Sequence, residues 1–238
     1  MRRASTLTRR SQDPRELPAY SLIEAAHYIR VPSATLRSWV RGRHYPTDTG
    51  QKFFRPLITL PDADSPALSF VNLVEAHVLA AIRKDHGIQL RKVRRALRYV
   101  ERNLGTKHPL ADQRFETDGL DLFIDQYGDL INASQEGQLA LRALLEARLK
   151  RIVRDPAGMA IKLYPFTRRE SPDQPKYIVI DPKISFGRPV LVGTGISTAV
   201  VAERYKAGDS IAALADDYAR PTEEIEEAIR CELQLDAA

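Results

Sequence analysis

Between Tyr20 and Gly42 the hydrophobic positions fall into two short helical stripes separated by a turn. Leu22, Ala25, Ala26 and Ile29 recur at i, i+3, i+4 and i+7, while Glu24, His27 and Arg30 fall off that stripe. Ala25 is small enough to let a second helix cross closely. Val31-Pro32 closes the first helix, because proline biases its predecessor toward an extended conformation. Ser33 is the expected N-cap of the second helix. In that helix Leu36, Trp39 and Val40 face inward, leaving Ser33, Ala34, Thr35, Arg37, Ser38 and Arg41 outside. The spacing predicts a helix-turn-helix, a pattern that an ordinary helical hairpin with a solvated face shares.

Farther on, His44 to Leu60 reads as short extended pieces around Pro46 and Thr49-Gly50, a hairpin or wing. Ser69 is a plausible cap for a helix reaching about Lys84, with Phe70, Leu73, Val74, His77, Val78 and Ala81 inward. His77 has no second ligand type placed with it, so it reads as a half-buried packing residue. Gly87 breaks the pattern, and Leu90, Val93, Leu97 and Val100 predict a further helix to about Asn103. From Ala111 to Ala133 the pattern turns extended, with Leu122, Ile124 and Tyr127 alternating and Gly128-Asp129 as a turn. Asp118, Asp121, Asp125 and Asp129 then fall on the wet face of a strand, and their spacing matches no calcium loop. An amphipathic helix follows from Glu136 to Arg154, stopped by Asp155-Pro156, and then strands at 160–166 and 176–180. The fold class expected is α+β, mainly α: an N-terminal winged helix-turn-helix, a small central β-sheet with a helix, and a C-terminal helical, helix-turn-helix-like domain. The division expected is a disordered basic arm at 1–19, a DNA-binding domain at 20–105, a connecting β/α region at 106–175 and a partner-binding or dimerising domain at 176–238.

Charge sharpens this division. The 238 residues carry a net charge of +5, but residues 1–110 hold 20 Lys and Arg against 9 Asp and Glu, a net of +11, and residues 111–238 hold 16 against 22, a net of −6. A basic half containing a helix-turn-helix is the footprint expected for phosphate binding. Short hydroxyls and arginines suit a DNA groove, where Arg bridges guanine bidentately. The candidate DNA contacts are therefore Ser33, Thr35, Arg37, Ser38 and Arg41 on the second helix, with Arg43, Lys52 and Arg55 on and around the wing. Arg91, Lys92, Arg94, Arg95, Arg98 and Arg102 add a dense basic face with few carboxylates to relieve it, read either as a solvated surface or as a phosphate or partner contact.

In the acidic half, Ser210 to Glu232 again scans as helix-turn-helix, yet its second helix carries Glu223, Glu224, Glu226 and Glu227. Four carboxylates repel phosphate, so this unit suits protein contact, with Glu223, Glu224 and Glu227 as candidates. Arg188, in a Gly-Arg-Pro turn, is the fourth candidate partner residue. Gly193-Thr194-Gly195 follows VLV but lacks the third glycine of a dinucleotide loop, which leaves a turn. Neither a nucleophile with an adjacent base nor a metal-ligand cluster is legible, so the expectation is a non-enzyme without cofactor or metal. The single cysteine, Cys231, the lack of an apolar run of about 18 residues and an N-terminus without an apolar stretch behind its arginines point to a cytoplasmic chain with no membrane association.

Two family resemblances follow. YSLIEAA, V-x-x-x-TLRSW from Val31 to Trp39, the wing and GIQLRKVRRAL, together spanning about residues 20–103, resemble the MerR-type winged-helix family. That resemblance implies DNA contact through the second helix and the wing, and so gives Thr35, Arg37 and Arg41 that role. The departures are Pro32-Ser33 in place of Ser-Pro, Ala34 for the usual Arg, Ser38 for the aromatic before Trp39, and no long dimerising coiled coil after Gly105. Residues 177–230, through Asp181-Pro182, Gly187-Arg188-Pro189, Gly193-Thr194 and Ala207-Gly208, resemble domain-of-unknown-function family 433. This second resemblance implies an antitoxin of the VapB type, encoded beside a PIN-like ribonuclease toxin. Together they imply an antitoxin that neutralises such a toxin by direct binding and, as a homodimer, binds operator DNA to regulate its own operon. The alternative is a standalone MerR-like regulator whose C-terminal half senses a ligand or dimerises.

Overall fold

The computed structural model describes residues 13–48, 50–62, 64–82, 90–131, 133–168 and 174–233. Most of the expected basic arm, the Lys84 end of the third helix and the Gly87 break lie outside these residues.

Helix α1 is Leu22–Tyr28. It starts in a capping box: the Glu24 amide donates to Ser21 Oγ at 3.2 Å and the Ser21 amide to the Glu24 carboxylate at 2.9 Å, which satisfies donors the first turn leaves unpaired. At its end Arg30 takes a left-handed φ of 55°, and the Val31 amide reaches back to the Ala26 carbonyl at 3.0 Å. Helix α2 is Ser33–Arg41. Its cap position is Pro32 and no side chain bonds it, so the cap expected of Ser33 does not form. Proline has already fixed the backbone there, and Ser33 is the first helical residue. Leu36, Trp39 and Val40 are buried, as their spacing requires.

Gly42 turns the chain into the wing with a φ of 75°; a Cβ there would sit 2.1 Å from the Phe54 carbonyl oxygen. Strands β1, Arg43–Thr47, and β2, Gly50–Phe54, pair antiparallel with Arg43 opposite Phe54 and Thr47 opposite Gly50. Helix α3, Phe70–Ile82, is buried at all thirteen positions, so it is the central element around which the others pack. Ser69 caps it as expected, accepting from the Asn72 amide at 3.1 Å. His77 is fully buried: its Nε2 faces the Arg148 carbonyl at 3.2 Å, its ring stacks on Phe166 at 5.8 Å, and burial holds its pKa well below the ordinary imidazole value. It is a neutral packing residue. Helix α4 is Leu90–Leu104.

The extended pattern expected over 111–133 is wrong. A π-helical turn, Phe115–Gly119, leads into helix α5, Leu120–Ile131. Leu120, Phe123, Ile124 and Tyr127 face the core, and Asp121, Asp125 and Asp129 line the solvated side of a helix. Helix α6, Gln135–Leu149, stops short of the Arg154 expected. Ile152–Arg154 instead forms strand β3, antiparallel to β4, Ala160–Leu163, across a turn in which Asp155 Oδ1 accepts the Ala157 and Met159 amides at 3.0 and 2.9 Å. With α3 against α6 and α4 against α5, one apolar core runs from Tyr20 through Leu163 and takes in Ile180. Arg151 is buried at its margin and donates to the carbonyls of Tyr164, Pro165, Gln174 and Pro175 at 2.7 to 3.3 Å, which ties the segments flanking the second hairpin together.

The C-terminal module has its own core. Strands β5, Ile178–Val179, and β6, Val190–Leu191, pair antiparallel, followed by α7, Thr198–Lys206, α8, Ile211–Tyr218, and α9, Thr222–Glu232. Ile178, Leu191, Val201, Leu214, Ile225 and Ile229 close around Cys231. Burial pushes the Cys231 thiol up to about 12, so the thiolate is scarce at neutral pH. Cys231 is expected to resist a disulfide reagent in the native protein and to react at once in denaturant; fast native labelling would show that this core opens.

Candidate nucleic-acid interface

The winged helix exposes Arg37 and Arg41 on α2 and Arg43, Lys52 and Arg55 around the wing. On α2, Ser33, Ala34, Arg37 and Arg41 are exposed, and Thr35 and Ser38 are half-buried. Ser38 Oγ already donates to the Thr35 carbonyl at 2.8 Å, so its hydroxyl is partly spent within the helix. The inner face of α2 is fastened to the chain leaving the wing: the Trp39 carbonyl accepts the amides of Leu57 and Ile58 at 2.7 and 3.1 Å. Wing and helix therefore keep a fixed relation. Arg43, His44, Lys52, Phe53 and Arg55 are exposed around the hairpin.

Helix α4 adds further cations. Phe54 is buried beneath the Arg94 guanidinium, 4.0 Å from the ring centroid. Burial, and then the like charges of Arg98 and Arg55, hold the Arg94 pKa below its ordinary value. Arg91, Arg94, Arg95, Arg98, Arg102 and Lys107 line an open groove of about 820 Å³ in which Glu101 is the single carboxylate among the described residues. Crowded cations with so little counter-charge gain most from a polyanion, whose binding also releases condensed counterions. The arrangement can hold a phosphodiester backbone while Arg37 and Arg41 enter a groove. The eight candidate DNA contacts thus lie on two adjoining elements, α2 and the wing.

The candidate partner residues do not gather in the same way. Glu223 is exposed. Glu224 pairs with Arg220 at 2.6 Å and keeps 13% of its side chain exposed. Glu227, expected at the partner surface, is buried: it accepts from the Thr167 hydroxyl and from Arg168 Nε at 2.6 Å, and Arg230 completes the cluster. Its cations come from the segment that follows β4 and from one turn along α9. Burial removes it from any docking surface. Arg188 points to the winged helix, with Nη1 3.2 Å from the Glu24 carboxylate and its guanidinium 5.7 Å from the Tyr20 ring centroid.

Sequence reasoning missed the joint between the halves. Glu24, His27 and Arg30, the polar residues off the α1 stripe, face the C-terminal module. Arg30 Nη2 donates to the Arg230 carbonyl at 2.8 Å, and His27 Nε2 lies 3.7 Å from Glu232. Gly187 packs against Tyr20 so closely that a Cβ there would lie 2.4 Å from the phenol oxygen. No local signal separates such residues from a solvated helix face, because each partner is more than 150 positions away.

Among the described residues no group of three His, Cys, Asp or Glu could hold a metal ion, and no helix is long and apolar enough to cross a membrane.

Comparison with known proteins finds a family match toward each end of the chain. A family model described as "Putative DNA-binding HTH domain" matches residues 18–97, and one described as "Protein of unknown function (DUF433)" matches residues 178–230. The Mycobacterium tuberculosis protein described as "Putative antitoxin VapB45" is 30% identical over 236 residues, covering 90% of this chain and 93% of that protein. Rv2308, an uncharacterized protein of the same organism, is 26% identical and covers 88% of each chain. The X-ray crystal structure of Rv2018, also from M. tuberculosis, superposes with a TM-score of 0.64 at 27% identity, over 90% of this chain and 98% of that one.

Proposed function

The chain belongs to the family of the M. tuberculosis antitoxin-like protein VapB45, and from that membership we propose that it is a DNA-binding antitoxin that silences a PIN-like ribonuclease by direct contact. As a homodimer it would bind operator DNA through α2 and the wing and so regulate its own operon. The observation that carries the DNA half is the set of exposed cations on α2 and the wing, with the arginine-lined groove of α4 joined to the wing where Arg94 covers Phe54. A two-fold assembly follows from the size of the reader: one α2 helix reaches few base pairs, and two copies read a palindrome.

Arg37→Ala and Arg41→Ala are each expected to weaken binding to the DNA upstream of the operon by roughly 5- to 150-fold, the equivalent of about 1–3 kcal/mol. Both side chains are exposed, so the melting temperature stays unchanged. Fluorescence anisotropy across a salt series makes the check, and wild-type affinity in both variants would remove α2 from the interface. The partner half is tested by co-expression with the product of the adjacent reading frame, followed by co-purification and a growth assay with residues 177–238 deleted. A complex, with growth arrest on deletion, supports the antitoxin. Neither result leaves a DNA-binding regulator alone.

A further inference from the structure

Phe186 is 92% exposed, more than any other large hydrophobic residue among those described. It stands at the tip of the turn Ser185–Gly187, and its exposure is built in. Ser185 and Phe186 both adopt left-handed backbone, with φ of 46° and 54°, a conformation that is strained for a non-glycine residue. The surrounding chain holds them there. Asp181, itself buried, accepts the Lys183 amide on its side chain and the Ile184 amide on its carbonyl, both at 2.9 Å. The Gly187 and Arg188 amides then close back onto the carbonyls of Ile184 and Ser185 at 2.9 and 3.0 Å. Gly187 is seated against Tyr20 with no room for a Cβ, and Arg188 is paired with Glu24. The turn is thus clamped between the module and α1 while its aromatic ring points into solvent.

We propose that Phe186 is the anchor by which the C-terminal module engages a folded protein partner, its ring entering an apolar pocket with carboxylates at the rim. An aromatic side chain displayed on a rigid turn has the properties of an interface hot spot: large apolar area, and little conformational freedom left to lose on binding. The flanking charges select the rim. Lys183 is exposed three residues before the ring, and Arg188, two residues after it, keeps 38% of its side chain exposed. Lys183 complements an acidic surface and the outer part of Arg188 adds to it beyond the Glu24 pair, whereas α9 holds Glu227 inside and keeps only 13% of the Glu224 side chain exposed. The inference rests on the antitoxin reading and moves the contact from the acidic helix to the 183–188 turn.

The test uses the full chain and the purified product of the adjacent reading frame, with binding followed by calorimetry. Phe186→Asn places a residue that tolerates left-handed backbone at the tip, so folding is expected to be preserved or slightly improved. The variant is expected to lose at least about 30-fold in affinity, Phe186→Tyr to stay near wild type, and the affinity for operator DNA to stay the same in both. Wild-type affinity of Phe186→Asn for the product overturns the anchor and leaves the antitoxin reading standing. No complex with the unaltered chain overturns both. A wild-type dimer that Phe186→Asn dissociates in sedimentation would make the occupant a second copy of this chain, and a loss of DNA affinity would make it nucleic acid; either result also overturns the proposal.

Discussion

Trp39→Ala is expected to lower stability by about 3–5 kcal/mol and to abolish DNA binding with it. Trp39 is 1% exposed, and its indole Nε1 is buried without a hydrogen-bond partner, so its whole contribution is packing. Truncation opens a large cavity beneath α2 at the point where the Trp39 carbonyl holds Leu57 and Ile58. Helix α2 and the wing then lose their common support. For a chain of this size the loss corresponds to a fall in melting temperature of roughly 6–20 °C, which far-UV circular dichroism measures. The contrast with Arg37→Ala is diagnostic: one variant loses DNA through the fold, the other at unchanged stability. A melting point within about 2 °C of wild type would mean that Trp39 does not support this domain.

Why the reader was legible and other parts were not follows from where each residue finds its partners. α1, α2 and the wing are specified by neighbours a few positions apart, and there the periodicity of Leu22 to Ile29 and of Leu36 to Val40 was sufficient. The segment 111–133 also carried a helical signal, since Leu120, Phe123, Ile124 and Tyr127 stand at i, i+3, i+4 and i+7 and Asp121, Asp125 and Asp129 repeat every four residues. The spacing of Leu122, Ile124 and Tyr127 and the turn signal at Gly128-Asp129 point instead to extended chain. The structure shows Gly119 and Gly128 inside helical turns: a Cβ on Gly119 would lie 3.0 Å from Phe115 and 3.1 Å from Leu104, and one on Gly128 would lie 2.8 Å from Gln138. Both sit in close packing, Gly119 against the Phe115 and Leu104 side chains and Gly128 against the flexible end of Gln138. The overrun of α6 has a similar cause. Ile152 and Val153 continue an apolar stripe, and only the pairing with β4 shows that they belong to a hairpin. The joint between the halves and the burial of Glu227 both depend on contacts between distant parts of the chain, which composition along α9 could not reveal.

Glu227 supplies the second large effect. The four glutamates in the first half of α9 look like a single acidic face, yet Ile225, Ala228 and Ile229 anchor the helix in the module's core and carry Glu227 inward with them. There its carboxylate neutralises Arg168 and Arg230 and accepts the Thr167 hydroxyl, which in turn accepts from Gln174. Glu227→Ala removes the shared anion. Because side chains of Arg168 and Arg230 are 49% and 37% exposed, both can turn to water, so the expected loss is near the lower end of the range for broken buried pairs, about 3 kcal/mol. Glu227→Gln keeps the shape and an acceptor for Thr167 and is expected to cost less. A partner contact and a structural clamp predict opposite signatures for these variants. A contact residue would weaken the complex at constant melting temperature, whereas the clamp lowers the melting temperature and weakens the complex only as far as the module unfolds. Exposed Glu223→Gln serves as the control, expected to leave the melting temperature where it was. Should Glu227→Ala melt like wild type while the complex dissociates, the carboxylate must reach the surface in solution and the acidic helix returns as the docking face. The predicted order, Glu227→Ala below Glu227→Gln below Glu223→Gln in stability, places the work of this carboxylate inside the module and leaves the outward surface to the turn at Phe186.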